Sequence, residues 1–276
     1  MIRSLMSRRS LLAIAGLLLA PGVIGTTALL APHVSPAAST ADLIAFVGAT
    51  ATSLVALVLL SRGLLPAKVR IALGVLAPAG VGLLALRWIP MLPSIVLIAA
   101  FLVAFAYVLG DLIGSHIEHP GHLLPACVVA SIADVTSVLH PSGPSHAVIS
   151  NERTLGLMTV SFPVLGSDAF APTIGVGDLL FIALLMAAAR RHQLPWLRTA
   201  WLCAAGIAAA GAASYYLNRA IPALPPIGLA VIAGLPASRS LRRKDRPVAT
   251  LFMFGAALVA GVLVASRYLP SPTAGH

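Results

Sequence analysis

Apolar residues in this chain fall in long continuous runs separated by short polar breaks. Nine such runs stand out, at about 10–31, 42–61, 71–86, 91–110, 121–139, 169–189, 196–216, 221–236 and 248–266. A helix rising 1.5 Å per residue needs roughly 20 apolar residues to cross the hydrocarbon of a bilayer. Strands of a membrane barrel alternate apolar and polar residues. These runs do not alternate, and they are rich in Leu, Ala, Val and Gly, so the pattern predicts membrane-spanning helices. The third and eighth runs are the shortest. The first follows Arg3, Arg8 and Arg9 and is interrupted by Pro21-Gly22. That order resembles a secretory signal, whose apolar region is roughly 7–15 residues. This run is longer, and a retained helix is expected. The longest polar stretch, 140–168, joins the fifth and sixth runs.

Composition removes the soluble alternatives. Of 276 residues, 59% are hydrophobic and 9% charged, whereas a soluble domain carries about 25% charged residues. The formal charge of +10 does not indicate nucleic-acid binding, because the positive residues form no single patch. They cluster between the apolar runs, as the positive-inside rule requires. With the N-terminus in the cytoplasm and all nine runs crossing, fourteen cations fall inside, among them Arg62, Lys68, Arg70, Arg190, Arg191, Arg198 and the 239–246 cluster. Four fall outside: Arg87, Arg153, Arg219 and Arg267. Short basic loops and small size suit a multi-pass protein of a prokaryotic plasma membrane. Cys127 and Cys203 lie inside apolar runs with no CxxC pair, so neither a zinc ribbon nor a disulfide framework is expected. The HIEHPGH segment places His116, Glu118, His119 and His122 together. It lacks the HExxH spacing, and Pro120-Gly121 breaks the helix that would align ligands. A polar membrane-edge loop is expected there, with no metal and no other cofactor.

The acids carry more information. Eight carboxylates occur, and six lie in loops or near the ends of runs: Asp42, Asp111, Glu118, Glu152, Asp168 and Asp245. Asp134 and Asp178 lie inside runs. A charged residue at a membrane-helix centre costs about 2.5–3.5 kcal/mol on insertion scales, so such acids usually pair, line a water-filled cavity or do chemistry. Counting helical residues from the run ends, the two differ in depth by about 6 Å, a gap that tilt and a loosened GVG stretch can close. Two facing carboxylates share one proton. Such a pair suits peptide hydrolysis, with one acid taking a proton from water and the other donating to the carbonyl oxygen. It equally suits a proton or cation pathway in a channel or transporter.

Three motifs bear on that choice. Asp178 ends Gly175-Val176-Gly177-Asp178; the glycines weaken the helix and permit close backbone approach. Pro222-Ala223-Leu224-Pro225 begins the eighth run, where prolines leave backbone groups unpaired. After the first acid comes Asp134-Val-Thr-Ser-Val-Leu-His-Pro-Ser-Gly-Pro144. Together these resemble the GxGD intramembrane aspartyl proteases of the presenilin and signal peptide peptidase family, in the family's order of Asp, GxGD and PAL. The resemblance covers about 120–236. It implies an all-α, polytopic transmembrane helical bundle of about nine spans in one membrane-embedded domain. The helices of 1–115 precede a catalytic core at 120–236, and 248–266 adds a C-terminal span. It also implies Asp134 and Asp178 as the catalytic pair. Gly175 and Gly177 would shape the site, and Pro222, Ala223 and Leu224 would border it and help hold the substrate. Substrates would be transmembrane helices or remnant signal peptides, cleaved without accessory subunits. The chain departs from the family in having four runs, not five, before the first acid and an extra run after the PAL element. Its charge bias sends the Asp134 helix outward, as in signal peptide peptidase. The β-prone stretch Met158–Leu165 is expected to pair with an unwound substrate as an added strand.

Overall fold

The computed structural model describes residues 8–34, 36–63, 65–86 and 88–266. Arg3, Arg87 and Arg267 of the charge tally lie outside the described residues. Each of the nine apolar runs carries a helix: α1 (Arg8–Leu30), α2 (Ala38–Gly63), α3 (Ala67–Leu84), α4 (Met91–Ser115), α5 (Leu123–Leu139), and, after two short helices α6 (Pro144–Ile149) and α7 (Glu152–Met158), α8 (Val176–Arg191), α9 (Trp196–Leu217), α10 (Leu224–Gly234) and α11 (Arg246–Ser266). Among the described residues, seven helices are long and apolar enough to cross a membrane. The other two, α8 with 16 residues and α10 with 11, are shorter. The protein is therefore a polytopic helical membrane protein.

Two expectations need correction. The sixth run is not helical from its start. Residues Thr159–Pro163 form a strand, β1, that pairs antiparallel with β2 (Phe170–Gly175). Helix α8 begins only at Val176. Pro172 disfavours helix, and Thr173 and Ile174 are β-branched residues suited to a strand. The depth comparison of Asp134 with Asp178 counted helical rise through 169–178 and does not hold, since a strand rises about 3.3 Å per residue. The β-prone stretch is a strand, and one of its edges pairs with the chain's own β2. Among the described residues, this two-stranded ribbon is the exception to a helical fold.

The chain divides into two compact units, both discontinuous in sequence. One comprises residues up to Ile117 with Asn151–Ala204; the other comprises Glu118–Ser150 with residues from Ala205 onward.

The first unit is held by small residues. Gly110-Asp-Leu-Ile-Gly114 of α4 packs on Ala183 and Ala187 of α8. A Cβ on Gly110 would stand 2.5 Å from the Ala183 Cβ, and one on Gly114 would stand 2.3 Å from the Leu184 carbonyl oxygen. Such small-xxx-small seams let helices approach where burial against lipid supplies no driving force. Helix α8 is buried over Leu179–Ala189 except at the half-buried Leu180, as expected for a helix that is apolar all round. Helix α1 packs antiparallel on α2, with Gly16 against the Ala56 and Leu60 backbone and Gly63 against Ala13. Pro21 lies within α1 without ending it.

In the second unit α10 packs on α5 and on the later part of α9. Gly228 lies against Cys127 and Ser131, and Gly206 against the Ile227 backbone. Cys127, Ser131 and Asp134 recur at helical spacing, so they share one face of α5.

Candidate functional site

In the second unit, Asp134 meets the proline element. Helix α10 starts at Leu224, and its next two residues are Pro225 and Pro226. The first amides of a helix have no intrahelical acceptor. Two of these positions are prolines and have no N–H, which leaves the Leu224 amide as a donor to be satisfied. It donates to Asp134 Oδ2 at 2.9 Å, and the adjacent Ala223 amide also acts on the same carboxylate. Asp134 is half-buried, so this contact holds the carboxylate without sealing it off.

The residues after Asp134 turn the chain back. The Gly143 amide donates to the His140 carbonyl at 2.8 Å, and Pro144 opens α6. A Cβ on Gly143 would lie 2.1 Å from the Ser137 carbonyl oxygen, so this turn admits only glycine. The Ser145 amide donates to Ser137 Oγ at 2.9 Å, and Ser137 Oγ donates to Ser145 Oγ at 2.7 Å. The Pro-x-Gly-Pro pattern thus ends α5 and returns the chain over its last turn.

In the first unit, Asp178 lies in the first turn of α8, at the end of the β ribbon. The Gly175 amide donates to Asp178 Oδ2 at 3.3 Å. This is one half of a capping box; the other half needs an N-cap side chain, which glycine lacks. An acid here also faces the positive end of the helix dipole. A Cβ on Gly175 would stand 3.3 Å from the same oxygen, whereas one on Gly177 would meet nothing within 4 Å. Gly177 therefore borders open space. Asp134 and Asp178 belong to different units; the first is held by a backbone amide of the Pro222–Pro225 element and the second by an amide of its own GVGD element.

One buried charged cluster is not evident from the sequence reading. Asp111 lies near the end of an apolar run, yet it is 1% exposed. It forms salt bridges with both Arg70 of α3 and Arg190 of α8. Arg190 also donates to the Ser61 carbonyl of α2 at 2.9 Å. The signal was present: all three charges abut apolar runs at the same expected membrane face.

The HIEHPGH segment gathers no ligand set. His116 Nδ1 bonds the Leu112 carbonyl at 2.6 Å, His119 Nδ1 accepts from the Gly121 amide at 3.1 Å, and His122 Nε2 lies 3.1 Å from Asp245 Oδ2. Among the described residues, no group of three or more His, Cys, Asp or Glu side chains is placed to hold a metal ion. No protein-family model, curated protein or solved structure matches the chain.

Proposed function

We propose that the protein is an intramembrane aspartyl protease of the presenilin and signal peptide peptidase type, with Asp134 and Asp178 as its catalytic pair. The observation that carries this reading is the hydrogen bond from the Leu224 amide to Asp134 Oδ2, which joins two of the three motif elements across 90 positions of sequence. The GxGD element contributes the second acid in a comparable state, with one oxygen taking a backbone amide.

In this mechanism the two acids share one proton and titrate as a unit. The ionised carboxylate takes a proton from water as the water oxygen bonds to the peptide carbonyl carbon. The protonated acid donates to the carbonyl oxygen. Collapse of the tetrahedral gem-diol breaks the C–N bond: one hydroxyl returns its proton to the pair as the carbonyl re-forms, and the leaving nitrogen takes a proton from the pair. Leu224 and Gly175 amides act by fixing where each carboxylate points. The open space beside Gly177 accommodates a substrate backbone. The ribbon leads directly into Asp178, and an unwound substrate segment added along a free strand edge would be carried toward the acid. Substrates are transmembrane segments or remnant signal peptides, and the chain acts without accessory subunits from a plasma membrane, with its N-terminus cytoplasmic.

The test is cleavage of a model single-span substrate by the purified, detergent-solubilised protein, with products identified by mass spectrometry. Wild type is expected to cut within the apolar span, and Asp134→Asn and Asp178→Asn are each expected to reduce cleavage to background. Intact substrate across several sequences in both orientations would overturn the proposal. Altered ion flux in the same two variants would then favour a proton- or cation-coupled transporter.

A further inference from the structure

The first unit contains a cavity of about 680 Å³, and neither acid of the proposed site lines it. Its wall includes Arg8 and Arg9 from the first turn of α1, Arg62 from the end of α2, Arg190 from the end of α8, and Trp196 from the start of α9. No carboxylate lines it. Arg190 is already shared with Asp111. Among the described residues, Arg8, Arg9 and Arg62 make no salt bridge to a carboxylate. Arg62 lies over the Trp196 ring, 4.5 Å from its centroid. That contact holds the side chain at the rim and consumes none of its N–H donors.

Four guanidinium groups around one concavity repel each other unless an anion joins them. Guanidinium forks match the oxygens of a phosphate in a bidentate manner. The cavity has the size of a small-molecule site, and Leu12 adds an apolar wall. Three of the four helices that line it, α1, α2 and α9, are long and apolar enough to cross a membrane, and basic pockets between such helices receive anionic headgroups. We infer that this cavity binds the phosphate of an anionic phospholipid, with the arginines on the phosphodiester and the apolar wall along the start of an acyl chain. The inference rests on the membrane fold and is independent of the protease reading.

The test uses the full chain, purified and delipidated in detergent, then supplied with phosphatidylglycerol, phosphatidylcholine or inorganic phosphate. Binding is read by native mass spectrometry and by thermal unfolding. One phosphatidylglycerol is expected to stay bound and to raise the unfolding temperature, while phosphatidylcholine binds more weakly. The triple variant Arg8→Ala/Arg9→Ala/Arg62→Ala is expected to lose affinity on the order of 100-fold. Arg190 is left intact because it holds Asp111. A control, Arg191→Ala/Arg198→Ala, removes two cations that do not line the cavity and should retain most of the binding. Equal losses in control and triple variant would assign binding to general surface charge and overturn the inference. So would undiminished binding in the triple variant, or equal stabilisation by phosphatidylglycerol and phosphatidylcholine. Stabilisation by inorganic phosphate matching that by phosphatidylglycerol would assign the site to free phosphate and overturn the lipid source. If the triple variant does not fold, Arg62→Ala alone gives the same reading with a smaller loss.

Discussion

Asp111 and Asp134 are both acids within apolar helices, and their surroundings differ in kind. Asp111 is buried and satisfied on both oxygens by guanidinium groups. Asp134 is half-buried, and its Oδ2 takes the Leu224 amide at the start of α10. The first arrangement neutralises the charge and ties three helices together, so it reads as structure. The second orients a carboxylate and leaves it reachable, which is what a proton-transferring group needs. An acid's depth in an apolar run is therefore a weaker guide to chemistry than the kind of donor it meets.

The contrast can be broken most directly by removing each acid. Asp134→Asn should eliminate cleavage while keeping an acceptor for the Leu224 amide, at a stability cost of about 1 kcal/mol or less. Asp111→Asn should do the reverse, leaving two arginines beside a neutral amide and costing about 3 kcal/mol in detergent unfolding. An Asp111 variant with unchanged stability would remove the structural role assigned to it here.

The packing around each acid offers a finer comparison. Gly114→Ala drives a methyl into the Leu184 backbone, and Gly206→Ala drives one into the Ile227 backbone. Each is expected to cost about 1–3 kcal/mol. The first should loosen the α4–α8 seam that carries the Asp111 cluster. The second should disturb α10 and lower cleavage along with stability. Unfolding monitored with and without substrate turnover separates the two.

The smallest structural effect is expected at Gly177. A Cβ there meets nothing within 4 Å, so Gly177→Ala should leave stability within about 0.5 kcal/mol of wild type. If a substrate backbone uses the space beside it, kcat/KM should nevertheless fall. Gly175→Ala, whose Cβ crowds Asp178 Oδ2, should lower kcat more than it raises KM. Unchanged kinetics in Gly177→Ala would place the substrate elsewhere.

Much of the architecture could be read from residue order because lipid allows few solutions. Continuous apolar runs at membrane-spanning length leave the backbone only helix, and all nine runs do carry helices. The Pro-x-Gly-Pro stop at 141–144 is a local signal with a local cause, whereas the seam at Gly110 and Gly114 is made with α8, far along the chain. The run at 169–189 misled, because apolar content says nothing about period when every position is apolar. There Pro172 and its β-branched neighbours follow a strand that pairs with Thr159–Pro163, and α8 starts late.

By itself the sequence determined that the chain is a helical membrane protein, which residues carry rare charge, and which glycines and prolines interrupt its helices. These are properties of composition and of neighbours along the chain. Only the tertiary structure decided which acid is satisfied by arginines, which is held by a helix-start amide, and which cations face a cavity. Those pairings join residues 41, 79 and 90 positions apart, and contacts of that range depend on how helices pack, a choice no single apolar run encodes.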